Sequence, residues 1–346
     1  ATALVPAALA VQDPPAPPPA PPADGPWIAD FDQAVAVAKQ QGKDLFVDFT
    51  GSDWCGWCKR LDAEVFSHAA FLDAAQEDYV LVKLDFPHDE AVKALVPNPE
   101  RNAELRDQYG VRGYPTVLLL TAEGDVFAQT GYREGGPELY VEHLEKEASI
   151  GKPGLAAVKA LLAEFEGAAG DAKLAVWDRV VAKLGELGDS VVANPLVPAV
   201  KAAFQLDPAN EKGLKLRAAK ALVDTGRLDA EVAGVARELD PQNEQGLLEA
   251  VVLADIRTVR NDDTARAWIA SLEEFDRLGR IHDKEAVFSA MARAAMWANE
   301  PLGETQRAVA LAQRALEIGA ESENVDLIAE LKTLVSTAGE EIVGEG

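Results

Sequence analysis

Three observations predict an α/β domain followed by an all-α region. Four apolar, β-rich segments alternate with helical stretches over the first 150 residues. From Lys152 onward the chain turns Ala/Leu-rich, with helical periodicity and no strand signal. Within that second part, a nine-residue turn sequence returns after 33 residues. A length of 346 residues agrees, since a domain takes roughly 100–200 residues.

The elements follow in order. Ala1 to Ala10 is small and apolar and ends Ala8-Leu9-Ala10, as the tail of a secretory signal and its cleavage site do. Val11 to Pro26 is Pro-rich, so an extended tether is expected there. The first domain then runs from 27 to 150 and the second from 151 to 346. Asp44 to Thr50 and Tyr79 to Asp85 read as buried strands, each with one charged residue inside, Asp48 and Lys83. Thr116 to Leu120 and Val126 to Thr130 read as a hairpin around Glu123-Gly124-Asp125. Helices are expected over Ile28–Gln41, Cys55–Phe66, Asn102–Tyr109 and Pro137–Ala148. Phe86 to Arg101, with Pro87, Pro97 and Pro99, reads as an irregular surface insertion.

The only two cysteines lie in Trp54-Cys55-Gly56-Trp57-Cys58-Lys59. At a helix start the free backbone N–H groups and the macrodipole favour a thiolate, which makes Cys55 the expected nucleophile and Cys58 the deeper, resolving thiol. A zinc site would need two more ligands, and His68, His88, His143 and His282 are scattered singly. Trp54 and Trp57 are large aromatics beside the sulfurs. They form a substrate-gripping apolar patch with Gly56, Gly131 and Tyr132, unless Trp54 packs under its own loop.

Val47-Asp48-Phe49, the Trp-Cys-Gly-x-Cys-Lys segment and Tyr109-Gly110-Val111-Arg112-Gly113-Tyr114-Pro115-Thr116 occur in the order found in the thioredoxin-fold family. Residues 27 to 150 resemble the thioredoxins and protein disulfide isomerases, and the insertion resembles that of bacterial exported relatives. The resemblance implies a central mixed sheet flanked by helices and a redox-active disulfide that needs no other cofactor. It also implies a cis Pro115, with the Tyr114 backbone open to an extended substrate, and a buried acid, Asp48, paired with Lys83. That acid would take the proton of Cys58. Seven positions separate Asp48 from Cys55 where thioredoxin has six, so Asp53 is an alternative modulator. Trp57 replaces thioredoxin's proline, which leaves the direction of electron flow open.

In the helical region, Leu206-Asp207-Pro208-Ala209-Asn210-Glu211-Lys212-Gly213-Leu214 returns as Leu239-Asp240-Pro241-Gln242-Asn243-Glu244-Gln245-Gly246-Leu247. It resembles a tetratricopeptide array; a plain bundle is the alternative. Further helix pairs are Leu247–Arg260 with Thr264–Leu278 and Glu285–Asn299 with Glu304–Ile318, capped by Asn324–Ser336.

A net charge of −25 argues against nucleic-acid binding and anionic membrane surfaces, and no 18-residue apolar run spans a membrane. The expectation is an extracytoplasmic thiol–disulfide oxidoreductase. It would act on protein thiols and disulfides, either as a reductase recharged by a membrane electron donor or as an oxidase or isomerase, and hold a protein partner on its helical repeats. The competing reading is a non-catalytic binding scaffold.

Overall fold

The computed structural model describes residues 25–344, with side chains through 337. Residues 1–10 and nearly all of the Pro-rich 11–26 segment lie outside the described residues. Two compact units divide between Ala157 and Val158.

The first unit holds a five-stranded mixed sheet in the order β1-β3-β2-β4-β5. Its elements are β1 (Trp27–Ile28), α1 (Phe31–Gln41), β2 (Asp44–Thr50), α2 (Gly56–Leu61) and α3 (Ala69–Asp78), then β3 (Tyr79–Asp85), α4 (Glu90–Lys93) and α5 (Pro99–Gln108). β4 (Thr116–Leu120), β5 (Val126–Thr130) and the start of α6 (Gly136–Gly167) complete it. β1, β3 and β2 run parallel, while β4 is antiparallel to both β2 and β5.

The four expected strands match β2 to β5 residue for residue. Alternation sends Leu45, Val47 and Phe49 to one face, against Phe31, Ala34 and Ala38 of α1 and Leu105 of α5. Phe46 faces the other way, into an aromatic cluster with Phe66, Phe71 and Trp27. Asp48 shares the Phe46 face by the same period of two.

The helix expected from Ile28 starts at Phe31, because Asp30 caps it by accepting the Gln33 N–H at 2.8 Å; Trp27–Ile28 pairs with β3 instead. The stretch Cys55–Phe66 is α2 followed by a π-helical turn over Asp62–Phe66. The insertion is more ordered than its prolines suggested. It holds α4, capped by Asp89, and Pro99 opens α5 three residues ahead of the expected start. The helix expected to end at Ala148 runs through Pro153 to Gly167.

The second unit is helical. After α6 come α7 (Gly170–Leu187), a 3-10 segment (Val191–Leu196), α8 (Val197–Lys201), α9 (Ala203–Leu206), α10 (Leu214–Asp224) and α11 (Ala230–Leu239). Then follow α12 (Leu247–Ala254), a 3-10 turn (Asp255–Thr258), α13 (Asp262–Asp276), α14 (Lys284–Asn299), α15 (Thr305–Ile318) and α16 (Val325–Gly344). The repeated turns share one construction. Asn210 and Asn243 both take the left-handed conformation, at φ 56° and 54°, which asparagine tolerates. Asp207 accepts the N–H groups of Lys212 and Leu214, and Asp240 those of Glu244, Gln245 and Leu247.

Candidate redox site

β2 delivers the chain through Thr50 into the loop Gly51–Trp54, and Cys55 is the N-cap of α2. Cys55 and Cys58 are joined as a disulfide. The Cys58 N–H donates to Cys55 Sγ at 3.1 Å, so the first sulfur occupies the N-cap acceptor position. In the dithiol state that N–H and the helix end favour a thiolate on Cys55. Burial does not set the two cysteines apart, at 5% and 4% exposure; their places on the helix do.

Tyr114–Pro115 is cis, and Pro115 precedes Thr116, whose register partner is Phe49 on β2. The proline therefore lies at the sheet end from which the cysteine loop departs. Gly131 abuts it: a Cβ there would sit 3.0 Å from the Pro115 carbonyl oxygen. Trp54 and Trp57 are 42% and 55% exposed and lie in different surroundings. Trp57 tilts against Tyr132 at 5.0 Å, with Arg60 over both rings, while the Tyr132 hydroxyl donates to Glu64 at 2.7 Å. Trp54 meets Tyr114 edge-on at 5.7 Å and donates its Nε1–H to the Phe86 carbonyl at 2.9 Å. It is thus tied down over its own loop and still half open. Gly56 is exposed, and open space surrounds the place of a Cβ.

Asp48 is buried, and its Oδ1 meets no hydrogen-bond partner among the described residues. Desolvation raises its pKa from 3.8 to about 7, opposed by the nearby Lys83 charge and assisted by Asp62 and Asp85. The expected Asp48–Lys83 ion pair needs correction. The two are register partners on β2 and β3, but Lys83 Nζ goes to Asp62 at 2.6 Å and lies over Trp27. The π-helical turn begins at Asp62, and no periodic pattern announces it. Asp53 does not face the sulfurs as a free charge: its carboxylate accepts the N–H groups of His88 and Asp89, which lowers its pKa.

Among the described residues no cluster of His, Cys, Asp and Glu suits a metal ion, and no helix is long and apolar enough to cross a membrane.

A two-cysteine helix start beside a cis-proline on a mixed sheet defines a thioredoxin-like redox domain. The profile of the thioredoxin-like domain matches residues 31–146. The disulfide bond reductase DsbH of Chlamydia pneumoniae is 33% identical over 122 residues, covering 35% of this chain and 71% of that protein. The chain belongs to this thioredoxin-like family of thiol–disulfide oxidoreductases. Protein disulfide-isomerase of Gallus gallus is 36% identical over 107 residues, which cover 31% of this chain and 17% of the isomerase. The thiol:disulfide interchange protein DsbD of Vibrio cholerae is 28% identical over 123 residues, or 35% of this chain and 18% of DsbD. A solved DsbH oxidoreductase structure is 30% identical, covers 35% of this chain and 82% of its own, and gives a TM-score of 0.31.

Proposed function

We propose that this chain reduces disulfides in protein substrates outside the cytoplasm. The observation that carries the reading is the Cys58 N–H aimed at Cys55 Sγ on a helix cap, on the loop that follows a strand carrying a buried carboxyl poised near neutrality. In the dithiol form the Cys55 thiolate attacks one substrate sulfur, and the first substrate thiolate leaves and takes a proton. Cys58 gives its proton to Asp48 and attacks Cys55 Sγ, which expels the second substrate thiolate and closes the Cys55–Cys58 bond. Two electrons have then passed to the substrate, and a dithiol donor must restore them; a membrane electron carrier fits that role. Tyr114 and Pro115 align the substrate backbone, Lys83 tempers the Asp48 charge, and Trp54, Trp57, Gly56, Gly131 and Tyr132 form the rim. The name of DsbH supports the reducing direction. The helical unit serves as a tetratricopeptide-like platform for a protein partner, a reading supported by its two similarly built turns.

The test is direct. Cys55→Ser abolishes reduction of a disulfide-bonded protein, and Cys58→Ser accumulates a mixed disulfide visible on a non-reducing gel. Normal turnover by Cys55→Ser would end the assignment. The potential of the couple is expected near the thioredoxin value of about −270 mV; a value near about −120 mV would reverse the direction.

A further inference from the structure

A cavity of about 460 Å³ opens behind the disulfide loop, walled by Trp54, Phe86, His88, Val96, Arg106 and Tyr114. Two of these walls belong to the redox site, since Trp54 precedes Cys55 and Tyr114 precedes Pro115. Three more come from the insertion and one from α5. The insertion and the end of β3 that leads into it are fastened to the cysteine loop at several points. The Asp53 carboxylate accepts N–H groups of His88 at 2.9 Å and Asp89 at 2.6 Å, and the Asp85 carboxylate accepts the Ser52 N–H at 2.9 Å and its hydroxyl at 2.5 Å. The His88 ring lies flat on Trp54, with centroids 4.5 Å apart and planes 6° from parallel. Gly51 leaves room for this arrangement: a Cβ there would fall 2.6 Å from the Trp54 ring.

Most polar side-chain atoms of the wall are already engaged, the ring nitrogens of His88 excepted. The Trp54 N–H is given to Phe86, and the Arg106 guanidinium donates to Asp107 at 2.9 Å while covering Phe86. Arg106 also sits beside the Tyr114 hydroxyl. Lys93, at the same cavity, is paired with Glu90 at 2.7 Å. What the cavity offers an occupant is therefore mainly aromatic and aliphatic surface, and it reaches the residue before Cys55 and the residue before the cis-proline.

We propose that this cavity is a specificity subsite. It receives one aromatic or large aliphatic side chain of the substrate polypeptide, within two residues of the cysteine that Cys55 attacks. The proposal rests on the reading of this chain as a reductase of protein disulfides. An apolar occupant follows from the aromatic and aliphatic walls, most of whose polar atoms are engaged, and a polypeptide occupant from the shared walls with the redox site.

The experiment separates the subsite from the chemistry. Peptides in which serine replaces the reactive cysteine, and which differ only in Phe, Ser or Asp at one of the two positions on either side, are titrated calorimetrically into the full chain with its disulfide intact. The best-placed Phe peptide is expected to bind about ten- to a hundredfold tighter than its Ser counterpart, the scale of burying one aromatic side chain. Val96→Arg fills the mouth and is expected to bring the two within about twofold; Val96→Ser, which cannot block it, is expected to keep about half or more of the preference on a logarithmic scale. Melting curves check that both variants are folded. Equal binding by all peptides, tighter binding of the Asp peptide, or a Phe preference that survives Val96→Arg would overturn the subsite. Reduction of hydroxyethyl disulfide by the wild-type chain reports the Cys55–Cys58 chemistry without any side chain to seat. Its absence would remove the reductase reading, while the titration still decides whether the cavity selects apolar side chains.

Discussion

Asp48 in the redox unit and Asp240 in the helical unit are both buried carboxylates in opposite company. Asp240 accepts backbone N–H groups of Glu244 at 2.6 Å, Gln245 at 3.1 Å and Leu247 at 2.9 Å, and Asp207 repeats the arrangement one turn sequence earlier. Those donors replace the water lost on burial, so the side chain ties a loop to a helix start. Asp48 has no such set: one of its oxygens is without a partner, and burial lifts its pKa to about 7. A buried carboxyl rich in donors builds a turn. One short of donors hovers between two protonation states, which is what proton transfer at neutral pH requires.

Asp48→Asn probes this difference with the largest expected effect. If Asp48 takes the Cys58 proton, the variant resolves a preformed mixed disulfide about 10²–10⁴-fold more slowly, measured by rapid quench with a thiol trap. Stability moves the other way. Between the ordinary carboxyl pKa of 3.8 and the folded value of about 7, the folded chain holds a proton that the unfolded chain has lost. Wild-type stability therefore falls as pH rises through that window, by on the order of 4 kcal/mol in total. The asparagine variant lacks this slope and is the more stable of the two at pH 8. Chemical denaturation across pH 4–8 with indistinguishable slopes for both proteins would refute the assignment.

Asp240→Ala carries the comparison to the saturated carboxylate. Three backbone donors lose their acceptor, and the helical unit is expected to lose about 3–5 kcal/mol. Asp240→Asn keeps one acceptor oxygen and loses less. Denaturant midpoints followed by far-UV circular dichroism give the order. A neutral Asp240→Ala would mean that the turn holds without its acid.

How much of this was legible beforehand follows the length scale of each signal. β2 to β4 stood out as largely apolar runs, because strands buried on both faces need apolar side chains nearly all along. The edge strand β5 followed from the turn at Glu123-Gly124-Asp125. β1 is two residues long and α3 begins at Ala69 with no side-chain cap from His68, so neither leaves a pattern to read. Cys55, Cys58 and the 114–116 segment are local motifs and were visible as such. The partner of Lys83 was not, because the π-helical turn places Asp62 and periodicity assumes a regular helix. The insertion looked irregular from its prolines, yet Asp53 and Trp54 order it through bonds spanning more than thirty residues. The turn at Leu206–Leu214 and its copy were read from repetition alone, and the acid-to-amide bonding explains why the same residues return.

Asp62→Ala tests the comparison at its finest grain. Asp62 acts on Asp48 in two ways: its own charge raises the pKa of Asp48, and its bond to Lys83 holds away an ammonium that would lower it. Both influences vanish together in the variant, so both push the Asp48 pKa downward. The Asp62–Lys83 pair is partly exposed, at 31% for Lys83 and 51% for Asp62, and its loss is expected to change overall stability by about 1 kcal/mol or less. The midpoint of the pH-dependent stability slope is instead expected to move down from about 7 by roughly half a unit to one unit. That movement without a matching loss of stability separates a charge tuned by its neighbours from one set by burial alone. An unmoved midpoint would assign the whole effect to burial and leave the Lys83–Asp62 bond a surface ion pair.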